Sequence, residues 1–319
     1  MKEIDLVLGT MTFGESVFQP DATEFVNLFL SYGNKKVDTA YVYNEGNCEK
    51  ILGEALRGAE YPFEVATKVN PRITGRLDYD ATCDQVNESL ERMGLDSVDM
   101  VYLHFPDPAT PVISALEAIA KLYDEGKIRA FGLSNFPAWM VADVWHLCEQ
   151  HSWIKPSVYQ GIYNPLTRGA ETELDSCLDH FGMSFYAYNP LAGGLLTGRY
   201  GSVDEAPSDG RFTHRPNYKG RYWLKSYFEA VDMIKEAGAQ HGISVIEAAY
   251  RWLAHHSMLK GDRGDAVIIG ASKLDRLRQN IETLRGGPLP DDMLPVMEQA
   301  WKHCRADSRE YFVYYKPKK

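Results

Sequence analysis

Residues 98–135 read VDMVYLHFPDPATPVISALEAIAKLYDEGKIRAFGLSN. The stretch opens on an apolar run, VDMVYLH (98–104), and breaks at a Pro- and Asp-containing turn. It then carries VISALEAIAKLYDEGK, whose apolar residues fall at helical spacing, and ends on a second run, IRAFGLSN (128–135). This is a strand–helix–strand unit. The same beat continues in both directions. Upstream lie the runs DLVLG (5–9), KKVDTA (35–40) and FEVATK (63–68). Downstream lie SVYQ (157–160), SFYAYN (184–189) and AVIIGA (266–271). Amphipathic segments such as ATEFVNLFLSYG, CEKILGEALRG and ETELDSCLDHFG separate them.

Eight strand–helix repeats without a break in composition predict one closed (β/α)8 TIM barrel domain over residues 1–319. The longest interval between runs, 189 to 266, holds more than a helix. Residues 201–222, GSVDEAPSDGRFTHRPNYKGRY, are rich in Gly and Pro and read as an extended loop after the seventh strand. A C-terminal tail follows Gly287, with one more apolar-faced helix and an aromatic end. The doubly wound alternative fits less well, because no GxGxxG follows the first run.

Composition excludes several classes of function. The net charge is −10 and no Lys/Arg-rich stripe or tail occurs, which argues against nucleic acid and anionic membrane surfaces as partners. No apolar run approaches a membrane span, and the first run carries Glu3 and Asp5, so it reads as a strand and not as a secretion signal. The five cysteines lie far apart and form no CxxC pair. No metal site is expected, and a reduced, cytoplasmic setting is.

In a barrel of this kind, active sites gather at the C-terminal strand ends. Within the second run the strand ends at Asp38, with Tyr43 in the loop beyond; the third strand ends at Lys68 and the fourth at His104. Singly, each has an ordinary explanation as a solvated or hydrogen-bonded residue. Together they suit proton transfer. A phenol of pKa about 10 is a poor acid near neutrality. The Lys68 ammonium is expected to lower that value, and Asp38 to hold Lys68 charged and oriented. His104 can donate a hydrogen bond to a substrate oxygen. None of these residues is an electron donor, so hydride transfer requires a cofactor. The later strand ends suit one. Ser134, Asn135 and Gln160 can fix an amide ring, and Tyr188 can stack on it. The glycine-rich segment 189–199, NPLAGGLLTGR, can wrap a pyrophosphate. The turn GASKLDRLRQN (270–280) opens a helix whose N–H groups can receive phosphate, with Arg276 placed to pair with a phosphate on an adenosine ribose.

With the stretches DTAYVY, ATK, YLHFPD, GKIRAFGLSNF, YNPLAGGLLTGRY and EQAW, the chain resembles the aldo-keto reductases, in particular their aflatoxin aldehyde reductase branch. The resemblance runs from near residue 5 to about residue 312. It implies a (β/α)8 barrel that binds NADPH across its rim, a catalytic tetrad of Asp38, Tyr43, Lys68 and His104, and Tyr43 as general acid. Cofactor contacts would fall on Ser134, Asn135, Gln160, Tyr188, Asn189, Pro190, Leu191, Gly193, Leu195, Gly198, Arg199, Arg211, Ser272, Arg276, Gln279 and Asn280. Substrate contacts would fall on His104, Tyr218 and Arg221. The branch often ends in NYFR, and its Arg helps bind acidic substrates; here the matching text is EYFV, with Val313 at that position. The tail therefore points to neutral aromatic or dicarbonyl substrates. The resemblance further implies NADPH-dependent reduction of aldehydes, some ketones and dicarbonyls, in the cytoplasm, by a homodimer. Two other readings remain beside it: an NADP-dependent alcohol or sugar dehydrogenase, and a weakly catalytic NADPH-binding regulatory subunit.

Overall fold

Residues 2–205 and 210–316 are described in a computed structural model of the chain. Among them run eight strands: β1 (Asp5–Gly9), β2 (Lys36–Asp38), β3 (Glu64–Val69), β4 (Val98–Leu103), β5 (Ile128–Ser134), β6 (Val158–Ile162), β7 (Ser184–Tyr188) and β8 (Ala266–Ile269). They pair in chain order, all parallel, and β1 closes on β8 with Asp5 opposite Ala266 and Leu8 opposite Ile269. This is the (β/α)8 TIM barrel expected from the sequence, including the extended segment after β7 and the tail.

The helices form because their apolar residues repeat at the helical period and face the sheet. Val112–Asp124 buries Ala115, Leu116, Ile119 and Leu122 and leaves Glu117 and Lys121 in solvent. It ends just before Gly126, which takes φ 71°. Fully burying one such leucine is worth about 1.5–3 kcal/mol. The outward residues of the strands join the same core, as Val101 and Leu103 of β4 do.

Inward residues follow the two-residue period of a strand. Val7, Tyr102, Val158, Tyr186, Ala266 and Ile268 form a separate cluster inside the barrel. Gly132 on β5 leaves room for the Tyr102 ring, since a Cβ there would lie 2.7 Å from a ring carbon and 2.5 Å from the Val158 carbonyl oxygen. Two residues beyond Tyr102, Gly132, Val158 and Tyr186 stand His104, Ser134, Gln160 and Tyr188. The period that fills the interior therefore delivers the polar rim as its next layer.

The segment 201–222 departs from the polar loop expected. Arg211–His214 and Pro216–Tyr222 are short helices, and Phe212, Tyr218 and Tyr222 are buried. Helices of one or two turns are too short to show a helical period in sequence, so their aromatic anchors were masked by the surrounding Gly and Pro. Residues 206–209 of that segment lie outside the described residues. Among the described residues, no helix is long and apolar enough to cross a membrane, and no group of His, Cys, Asp or Glu is arranged to hold a metal ion.

Candidate active site

Asp38 closes β2 and Lys68 lies one residue before the end of β3, both pointing inward. Their register, with Asp38 opposite Ala66, puts Lys68 one inward position above its neighbour. Lys68 Nζ donates to Asp38 Oδ2 at 2.5 Å and to the Thr39 carbonyl at 2.6 Å. Gln160 Nε2 donates to the other carboxylate oxygen of Asp38 at 2.8 Å. Lys68 is fully buried and Asp38 nearly so. Burial pushes the Lys68 ammonium below the usual lysine range and the Asp38 carboxyl above the usual carboxylate range, and each charge counters the shift of the other.

Tyr43 follows in the turn beyond β2. Its ring lies 5.1 Å from Lys68 Nζ, and meets the His104 ring edge-on with centroids 6.1 Å apart. The turn is fixed by Asn44, at φ 47°, whose side-chain amide donates to the Phe13 carbonyl at 2.6 Å. Burial raises the Tyr43 phenol well above its ordinary value, and the Asp38 charge adds to that. Here the structure departs from the lowering expected of Lys68. The ammonium is turned to Asp38 and Thr39, so at the phenol burial and the Asp38 charge outweigh it. A phenol held this way stays protonated at neutral pH.

His104 is held neutral: burial, then the Lys68 and Arg72 charges, keep its pKa well below the ordinary histidine value. Its tautomer follows from Asn70, a buried residue absent from the sequence-based site. Asn70 Oδ1 accepts the Arg72 backbone N–H at 2.9 Å, which leaves its NH2 group facing His104 Nδ1 at 3.1 Å. Nδ1 is therefore the acceptor, and the ring proton sits on Nε2. Gln85 fixes Asn70 in turn, accepting its backbone N–H at 2.7 Å. A Pro following Asn70 marks it as the start of the helical turn Pro71–Thr74, the one sequence signal that could have drawn attention to it.

The other predicted residues divide by position. Ser134, Asn135 and Tyr188 come together at the rim: Asn135, at φ 63°, donates to the His104 carbonyl and to Ser134 Oγ, both at 2.9 Å, and Tyr188 donates to Asn135 Oδ1 at 2.7 Å. Gln160, in the same layer, gives its Nε2–H to Asp38. Asn189, at φ 56°, and Pro190 and Leu191 lead into the turn Ala192–Thr197, which holds Gly193 and Leu195 and ends at Gly198. A Cβ on Gly193, at φ 69°, would lie 2.8 Å from Tyr218. The Arg199 guanidinium stacks on Tyr200, while Arg211 and Arg221 both lie over the Tyr218 ring, at 5.2 and 5.1 Å. Ser272, Arg276 and Gln279 are exposed around the start of the helix Leu274–Leu284, and Asn280 is buried beneath them. Arg215 ties the segment after β7 to the loops after β1 and β2, through Glu15 and through Asn44 Oδ1 at 2.9 Å.

These residues fit an anionic dinucleotide. The Asn189 amide nitrogen is buried without a hydrogen-bond partner beside the glycine-rich turn. Such an orphaned donor is rare and costly unless a ligand satisfies it. Arg276 stands in the first turn of its helix, where N–H groups and charge favour phosphate.

A (β/α)8 barrel with an Asp–Lys pair, a tyrosine and a neutral histidine on successive strand ends defines a class of oxidoreductase, and the sequence model of the Aldo/keto reductase family matches residues 5–302. The chain belongs to that family. It is 43% identical to human aflatoxin B1 aldehyde reductase member 2, over 96% of this chain and 89% of the human protein. It is 42% identical to human aldo-keto reductase family 7 member A3, over 96% of both chains. The rat aflatoxin B1 aldehyde reductase member 2 is 42% identical over 96% of this chain and 87% of its own length. Family and relatives together support carbonyl reduction.

Proposed function

We propose that this protein reduces aldehydes, and some ketones and dicarbonyls, to alcohols with NADPH, Tyr43 giving the proton. The observation that carries the reading is the conjunction of a half-buried phenol that keeps its proton with a histidine whose Nε2–H is turned away from Asn70. NADPH, when bound, supplies the hydride. Ser134, Asn135 and Tyr188 would hold the nicotinamide end. The turn at 189–199, with Arg211, would line the pyrophosphate. Ser272, Arg276, Gln279 and Asn280 would hold the phosphorylated ribose.

His104 Nε2–H and the Tyr43 hydroxyl then bind the carbonyl oxygen from two sides. Both act as donors, so negative charge growing on that oxygen is stabilised by groups already held in place. Tyr43 transfers its proton to the oxygen as the carbonyl carbon is reduced. Lys68 stabilises the phenolate left behind, and Asp38 and the Thr39 carbonyl keep Lys68 in place. Because the same groups serve the reverse reaction, alcohol oxidation with NADP+ is the second direction of one site. The test is loss of NADPH absorbance with methylglyoxal, 2-carboxybenzaldehyde, succinic semialdehyde, an aromatic aldehyde and a quinone. Turnover of several aldehydes is expected. No NADPH oxidation with any carbonyl, beside tight NADPH binding, would favour the regulatory-subunit reading.

A further inference from the structure

The floor of the barrel, at the N-terminal ends of the strands, holds a cavity of about 200 Å³ that the reading of the site does not use. Its existence follows from residue size. In register, Asp38, Ala66, Met100 and Ala130 stand side by side on β2 to β5. Two alanines flank one unbranched methionine, so this layer cannot close the interior to the packing density of a core. Val7 and the Tyr186 ring line the far side, and Tyr102 lines it from the next layer up. Ala66, Met100 and Ala130 stay partly exposed although they belong to the lining, so the cavity is open to solvent below. Lys36 and Glu64, the first residues of β2 and β3, stand at that mouth, and Asp38 borders the cavity from within.

The lining selects a guest. An apolar cavity of about 150 Å³ holds a benzene ring, so this one suits a single ring or two fused rings. The Tyr102 and Tyr186 rings and the Met100 thioether favour an aromatic guest over an aliphatic one. The charges favour a neutral one. Lys36 Nζ donates to Asp5 Oδ2 at 2.8 Å and lies 5.2 Å from the Tyr186 ring centroid. Asp99 accepts from Arg129 at 2.8 Å on one oxygen and from the Val65 N–H at 2.8 Å on the other. Glu64 stands opposite Lys36 in register, yet its carboxylate has no hydrogen bond or ion pair among the described residues. A cation at the mouth would meet Lys36 and an anion would meet Glu64, whereas a neutral hydroxyl or ring N–H meets an acceptor. We infer that the floor of the barrel is a second binding site, which takes a neutral aromatic of phenol or indole size with its O–H or N–H toward Glu64. Because Asp38 borders the site, a bound guest lowers the polarity beside that carboxylate and weakens its hold on Lys68. Occupancy therefore slows turnover without competing with carbonyl or NADPH. That consequence rests on the reductase reading above; the site itself does not.

The test uses the full chain with isotope-labelled methionine methyl groups, titrated with phenol, indole and toluene. Met100 lines the cavity, while Met11, in the loop after β1, reports on the rim at the other end. Phenol should move the Met100 resonance, assigned from Met100→Leu, with a dissociation constant of about 1 mM. Ala130→Leu, which fills the cavity, should weaken binding at least about tenfold, and Ala130→Val about threefold. The smaller valine keeps the test valid if leucine is not accommodated. Glu64→Met should weaken phenol about threefold or more and leave toluene unmoved. In steady state, saturating phenol should lower kcat at least about twofold and leave the KM values of aldehyde and NADPH unchanged. A Met100 resonance unmoved by phenol and indole, or moved equally in both Ala130 variants and the native protein, overturns the site. A shift confined to Met11 places the guest at the rim and overturns it as well. An effect on KM alone, or one that persists in Ala130→Leu, overturns the link to turnover. If no carbonyl is reduced, the reductase reading fails, while the Met100 titration still decides the site.

Discussion

Tyr43 keeps its proton because it sits half-buried within reach of the Asp38 charge. Burial raises the phenol well above its ordinary value, and burial with two nearby cations holds His104 neutral well below the usual histidine value. The sign of each shift fixes a pH profile. The active form needs Tyr43 protonated and His104 neutral. It therefore persists from below the ordinary histidine pKa of about 6.5 to above the ordinary phenol pKa of about 10. The kcat/KM for reduction should be flat between those values when corrected for carbonyl hydration and cofactor stability. A limb in the neutral range would show that one of the two shifts has the wrong direction. Asn70 makes a second prediction at this scale. In Asn70→Asp, one carboxylate oxygen still accepts the Arg72 N–H, but the other also accepts, and draws the His104 proton to Nδ1. Nε2 then has no proton to give. The kcat should fall about 10–100-fold, near the lower part of the range for losing one donor to a developing oxyanion, with little change in NADPH affinity. The imidazole nitrogen shifts should report the Nδ1–H tautomer. An unchanged tautomer with lost activity would reduce Asn70 to a folding role. The grouping of Asp38, Lys68 and His104 was legible from sequence because each stands within one residue of a strand end. Asn70 and the tautomer were not, since they depend on which way one amide faces.

At the scale of elements, the strands were the most legible part. On β3 to β7 the inward residue two places before the rim (Ala66, Tyr102, Gly132, Val158, Tyr186) is aromatic, apolar or small, while β2 carries Lys36 there. On most strands the alternation that fills the barrel therefore also names the rim positions. The runs at 98–104 and 128–135 show this directly: Met100, Tyr102 and His104 share one face, as do Ala130, Gly132 and Ser134. Loops carry no such period. The segment after β7 was read as polar, yet Phe212, Tyr218 and Tyr222 bury themselves against the glycine-rich turn, a contact set by tertiary packing alone. The helix Leu274–Leu284 carries the prediction for cofactor choice. Arg276 in its first turn is exposed, so its pairing with a ribose phosphate is worth less than a buried one, about tenfold in affinity. Arg276→Leu should weaken NADPH binding by about that factor and leave NADH almost unmoved. Fluorescence titration with both cofactors checks it, and equal losses for the two would remove Arg276 from phosphate recognition.

Over the whole molecule, the net charge is −10. The acidic surface was plain from composition; the pairing of Gln160 with Asp38 was not, because they are 122 residues apart along the chain and only barrel closure unites them. Closure likewise brings β8 beside β1, and with it the helix that carries Arg276 to the same rim as Tyr43. The account thus places the proton donor on one loop and the cofactor on several others, which makes the two separable. Tyr43→Phe is the most direct test of that division. It keeps the ring against His104 and removes only the hydroxyl. The measurement is kcat/KM for aldehyde reduction together with the NADPH dissociation constant in the same preparation. The account predicts a loss of about 10²–10⁴-fold in kcat/KM with the dissociation constant unchanged within about twofold, since no cofactor contact is assigned to that hydroxyl. Near-native turnover by the Phe variant would contradict Tyr43 as the proton donor.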